Sequence, residues 1–104
     1  MITNKEIEFI KEKLAEKFKP DKIILFGSQA RIDSDKNSDI DLLVIINSFS
    51  NRRKLMIEMD KALKGLNYAR DIVILSSDEF EKDKLIPGTI AHFAQKEGKI
   101  IYAS

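Results

Sequence analysis

Three short apolar runs punctuate this chain, at residues 23–26, 40–46 and 72–75, and each meets a glycine or an aspartate instead of growing into a helix-length pattern. Runs of that length, bounded in that way, read as buried strands. Segments with apolar residues at helical spacing stand between and around them. The chain is therefore expected to fold as an α/β (α+β) domain, a small sheet with helices packed against it.

The expected order of elements is αβαβαβα. Thr3 and Glu6 have the spacing of a capping box, and Ile7, Ile10, Leu14 and Phe18 repeat at helical intervals until Pro20 ends the segment. A strand is expected over 22–26, a short helix over 28–32 and a polar loop over 33–38. A second strand spans 39–46. The next helix turns Leu55, Met59, Ala62 and Leu63 toward the sheet and ends near Gly65. A third strand runs over 71–75, and a last helix, from about residue 87, carries Ile90, Phe93 and Ala94 inward and stops at Gly98. With 104 residues and no repeat or linker, residues 1–104 are expected to be a single domain.

Two patches of this pattern carry chemistry. The first is Phe26-Gly27-Ser28-Gln29-Ala30-Arg31, where a strand stops at a glycine and a helix starts on a serine. Gly27 lets the backbone approach a ligand, Ser28 can cap the helix, and the free amides of that helix start favour an anion. Arg31, one turn on, can offer its guanidinium fork to the same phosphate. A strand ending in Gly-Ser is ordinarily only a turn, so the second patch decides. Asp39 and Asp41 open an apolar strand, and strand alternation puts both carboxylates on one face, with alpha carbons roughly 6.6 Å apart. Such a pair can converge on one divalent ion or share two, and magnesium takes one or two carboxylates with waters and substrate phosphates. Five apolar residues follow Asp41, which argues against a merely solvated strand start. Asp71 opens the run at 72–75 in the same way. If the strands are neighbours, three like charges cluster at one sheet end, an arrangement that cations neutralise. The bland alternative makes Asp71 an ion-pair partner of Arg70 or a lysine.

Gly27-Ser28, ten intervening residues, Asp39-Ile40-Asp41, then Arg31 three positions after Ser28 and a later strand aspartate at Asp71, resembles the nucleotidyltransferase superfamily that includes DNA polymerase beta. The resemblance runs over nearly the whole chain and is nearest to the minimal nucleotidyltransferase (MNT) domains, whose usual ending Glu97-Gly98-Lys99-Ile100-Ile101-Tyr102 is similar to. Ile32 departs from it, standing where many members carry glycine. The resemblance implies the nucleotidyltransferase fold with a small mixed sheet. It also implies catalytic and metal-holding roles for Asp39, Asp41 and Asp71, with Gly27, Ser28 and Arg31 at the nucleotide phosphates. Two Mg2+ ions and ATP are the implied cofactor and substrate. The implied partner is a HEPN-type toxin, to a tyrosine of which an MNT antitoxin transfers AMP. Larger relatives carry a further domain for the acceptor, for which no residues remain here. Two alternatives stay open: an inactive antitoxin that blocks its toxin sterically, and a small-molecule nucleotidyltransferase acting as a homodimer.

Composition narrows the rest. Hydrophobic content of 43% and charged content of 34% fit a soluble globular domain, and a net charge of +1 supplies no overall drive toward nucleic acid, which is not expected as a direct substrate. Cysteine is absent, so disulfides and thiolate metal sites are excluded. No apolar run approaches the roughly 20 residues of a membrane helix and no signal-peptide pattern precedes the first helix, so no membrane role and a cytoplasmic location are expected. Arg52-Arg53-Lys54 opens a helix where cations oppose the macrodipole, and could meet a triphosphate or simply form a solvated face. His92 has no sequence partner for catalysis. Met56, Met59, Phe80 and Phe93 read as core or partner-facing side chains.

Overall fold

The computed structural model describes residues 2–27 and 40–104. In chain order the elements are α1 (Asn4–Phe18), β1 (Lys22–Phe26), β2 (Ile40–Ile46), α2 (Arg52–Ala62), β3 (Arg70–Ser76), α3 (Ser77–Asp83), α4 (Ile90–Glu97) and β4 (Lys99–Ala103). The strands form one sheet in the order β3-β2-β1-β4. β1 is antiparallel to both β2 and β4, whereas β2 and β3 run parallel, with α2 as the crossover between them.

Alternation along the strands explains the two cores. Ile40, Leu42, Val44 and Ile46 of β2 face one side together with Ile23, Leu25, Ile72 and Ile74, where Ile10 and Leu14 of α1 and Met59 of α2 cover them. Leu43 and Ile45 face the other side with Ile24 and Phe26, under Phe80 of α3 and Ala91 and Ala94 of α4. A central strand covered on both faces has no polar side to present, which is why β2 reads as an unbroken apolar run after Asp41. Leu55 and Ala62 pack against the first core beside the fully buried Met59 and Leu63, as their spacing predicts.

Two elements lie beyond the expected order. α3 has seven residues and buries only Phe80, too little for a periodic signal, although Ser76 and Glu79 repeat the capping-box spacing of Thr3 and Glu6. β4 is an edge strand that buries Ile101 and leaves Ile100 exposed, so its run Ile100-Ile101-Tyr102-Ala103 adds a strand after the last expected helix. The last helix also corrects the expected inward face. It starts at Ile90, capped by Thr89, and buries Ala91 and Ala94, leaving Ile90 and Phe93 exposed. Small residues at the contact let α4 lie close on the sheet, and Gly98 extends that contact: a Cβ there would run into the Ala94 carbonyl and come within 2.6 Å of Ile24 Cγ2. The short helix expected over 28–32 and the loop over 33–38 fall outside the described residues. Among the described residues no helix is long and apolar enough to cross a membrane.

Both capping boxes form. Glu6 accepts the Thr3 backbone N–H at 2.9 Å while Thr3 Oγ1 accepts the Glu6 N–H at 3.2 Å. Ser76 and Glu79 make the same exchange at 2.9 and 3.1 Å. The backbone N–H of Thr3 holds the Glu6 carboxyl below its ordinary 4.5, and that of Ser76, assisted by Arg52, does so for Glu79. A carboxyl whose folded pKa is lowered stabilises the fold fully above its unfolded value, and the contribution is lost as pH falls through the folded value. Urea midpoints taken from about pH 7 to about pH 3 should therefore fall below pH 4.5. The double variant Glu6→Gln, Glu79→Gln should flatten part of that fall, and an unchanged acid limb would show that the boxes contribute nothing. Replacing Thr3 or Ser76 by alanine should cost about 1 kcal/mol each.

Candidate active site

β2 and β3 run parallel in a register that sets Asp41 directly beside Asp71. Their side chains share the face that carries Leu43, Ile45, Val73 and Leu75, because each lies an even number of residues from these. Neighbouring strands are about 4.8 Å apart, so the two carboxylates stand close enough to repel one another and to share a cation. This is the adjacency that the isolated runs could only suggest. Asp41 is half-buried and Asp71 is exposed at the sheet's open side.

Gly27 completes the described part of the site. Across the antiparallel β1–β2 ladder Phe26 pairs with Asp41, so the chain leaves β1 alongside that carboxylate. Gly27 has φ +80°, a left-handed conformation that glycine adopts without a steric penalty. A Cβ built on Gly27 would fall on Asp41 Oδ2 and lie 3.1 Å from its Cγ. The glycine thus serves both the turn and the space the carboxylate occupies. Ser28, Arg31 and Asp39 lie outside the described residues. Among the described residues no group of three carboxylate, histidine or cysteine side chains is placed to hold a metal, so Asp41 and Asp71 are the described contribution to any such set.

The neighbouring charges separate structural from site roles. Arg70 does not pair with Asp71. Its Nε donates to Asp60 Oδ1 at 2.9 Å, and its other nitrogens reach the Asp60, Leu66 and Tyr68 carbonyls, tying the end of α2 to the start of β3. Asp71 makes no ion pair with a cation among the described residues, so Arg70 is not the partner that a salt-bridged strand start would need. Arg52 is committed elsewhere too, to Glu79 at 2.6 Å and to the ring of Phe49 at 5.0 Å. His92 Nδ1 lies 2.9 Å from the Lys84 carbonyl oxygen, so the ring braces the connection between α3 and α4.

One feature beside the carboxylates was not legible in the sequence. Phe93 on α4 lies edge-to-face with Phe26, ring centroids 6.2 Å apart and planes at 73°. Phe26 is the ladder partner of Asp41, so this exposed ring packs on the residue paired with that carboxylate. The inward-facing expectation for Phe93 hid it.

Residues 7–101 match the family model described as a nucleotidyltransferase domain. No curated protein matches. Among solved structures, a toxin–antitoxin crystallised with AMP-PNP is similar at 24% identity and a TM-score of 0.64, the match covering 94% of this chain and 73% of that one. The MntA-HepT toxin–antitoxin is similar at 22% identity and a TM-score of 0.60, over 98% of this chain and 74% of that one. A parallel pair of strand-borne aspartates beside a left-handed glycine turn, together with a family match over almost the entire chain, leads to one assignment: this protein belongs to the nucleotidyltransferase domain family.

Proposed function

We propose that this chain transfers AMP from ATP to a tyrosine hydroxyl of a HEPN-type toxin and so acts as its antitoxin. The observation that carries the reading is the register that places Asp41 beside Asp71, with Gly27 held against the Asp41 carboxylate. Support for the nucleotide comes from the fold neighbour crystallised with AMP-PNP, and support for a toxin partner from the toxin–antitoxin MntA-HepT.

On this reading the turn at Gly27 and Ser28, with Arg31, binds the terminal phosphates and leaves the α-phosphorus open. Asp39, Asp41 and Asp71 would hold magnesium, which when bound neutralises the phosphate charge and the carboxylate repulsion. Asp41 and Asp71 suit it, being hard oxygen donors on adjacent strands. Asp71, the exposed member of the pair, takes the proton from the incoming tyrosine hydroxyl. The new bond joins that oxygen to the α-phosphorus, the bond from the α-phosphorus to the bridging oxygen breaks, and pyrophosphate leaves.

The test is the intact mass of the protein encoded beside this one, after incubation with this chain, magnesium and ATP. Mass gains in steps of one adenylate support the reading. A stable complex with no gain would overturn it in favour of steric neutralisation.

A further inference from the structure

Phe93 is 41% exposed although it belongs to a residue type that folded chains usually bury, and it occupies the edge of the helix face that packs on the sheet. Its neighbours Ala91 and Ala94 are buried, so the helix is already seated without it. The ring is held in place all the same, because its edge-to-face contact with Phe26 fixes its tilt. It also lines a groove of about 470 Å³ together with Thr89, Ile90, His92 and Lys96. Small-molecule sites typically run from about 300 to about 1,000 Å³, so the groove has room for a nucleoside.

Position says which part of a ligand would lie there. Phe26 is the ladder partner of Asp41, and Asp41 stands beside Asp71 on the face that α4 covers. The aromatic ring is therefore one side chain, Phe26, removed from Asp41, with Asp71 one strand further along the same face. A nucleotide with its phosphates at the carboxylates would span Phe26 with its ribose and bring its base to the ring. Aromatic faces accept any base, since every base has a π-face.

We propose that Phe93 is the stacking platform for the nucleobase of the bound nucleoside triphosphate, braced by Phe26 and set in the groove along α4. This rests on the nucleotide reading above and adds a contact for the base, where that reading places residues only at the phosphates. Because a platform stacks without reading hydrogen-bond edges, it favours a nucleoside over bare polyphosphate but discriminates weakly between purines.

The full chain, its Phe93→Ala variant and its Phe93→Trp variant are titrated in magnesium with ATP, GTP and inorganic tripolyphosphate. Stacking on one ring corresponds to about 10- to 100-fold in Kd. Phe93→Ala should weaken ATP and GTP alike by that factor and leave tripolyphosphate within about twofold. The chain has no tryptophan, so Phe93→Trp introduces a single indole. It should retain ATP affinity, with fluorescence that changes on adding ATP and not on adding tripolyphosphate. Equal ATP affinity in wild type and Phe93→Ala would overturn the proposal and leave the ring as a contact for another protein. So would an indole blind to ATP that nevertheless binds. A wild-type chain that binds neither ATP nor tripolyphosphate would instead overturn the nucleotide reading, and the platform with it.

Discussion

Asp41→Asn is expected to reduce the proposed AMP transfer by more than about 100-fold while changing the stability of the fold by no more than about 1 kcal/mol. The size follows from rank: loss of a group that merely supports a metal ligand costs about 10- to 100-fold, and the carboxylate itself should cost more. The stability half follows from geometry. Asparagine keeps the shape of the side chain beside Gly27, and removing one of two adjacent like charges at Asp41 and Asp71 relieves repulsion. Transfer rates and urea midpoints measured on the same preparations check both halves. Full activity in Asp41→Asn would remove this carboxylate from the chemistry. A large stability loss would make it a structural residue whose effect on activity is indirect.

Gly27→Ala carries the second large effect, and its cause is different. Two penalties coincide at one atom. The backbone sits at φ +80°, where a side chain costs about 1–2 kcal/mol, and the new methyl would clash with Asp41 Oδ2. The carboxylate must rotate away or the turn must open, so the fold should lose about 1–3 kcal/mol and magnesium-dependent ATP binding should be lost altogether. Calorimetry under conditions where the variant remains folded separates these. If Gly27→Ala binds ATP like the wild type, the close approach of turn and carboxylate has no role in the site. A plain turn glycine would show the stability loss alone.

The residues that sequence reading placed correctly share a physical property: their role follows from local spacing. Thr3 and Glu6 close a box because both lie within one helical turn. Leu55, Met59, Ala62 and Leu63 face the core because their spacing leaves them one face of α2. Asp41 shares a face with Leu43 and Ile45 because strand alternation has period two. Phe93 escaped this logic. On α4 the inward face is set by which residues let the helix approach Ile24 and Phe26, and Ala91 with Ala94 permit a closer approach than Ile90 with Phe93. α3 escaped because one buried side chain makes no pattern, whereas the run Ile100-Ile101-Tyr102-Ala103 of β4 was legible and simply lay outside the expected order.

By itself, then, the sequence determined the strand and helix alternation, the glycine turn, and the candidacy of Asp39, Asp41 and Asp71, since each rests on periodicity or on the chemistry of a short motif. The tertiary structure alone decided that β2 and β3 are parallel neighbours in the register that sets Asp41 beside Asp71. It also decided that Arg70 turns away to Asp60, and that Phe93 packs edge-to-face on Phe26, the ladder partner of Asp41. Those outcomes depend on contacts between residues distant in sequence, where packing volume and hydrogen-bond pairing choose among arrangements that local preference leaves equal.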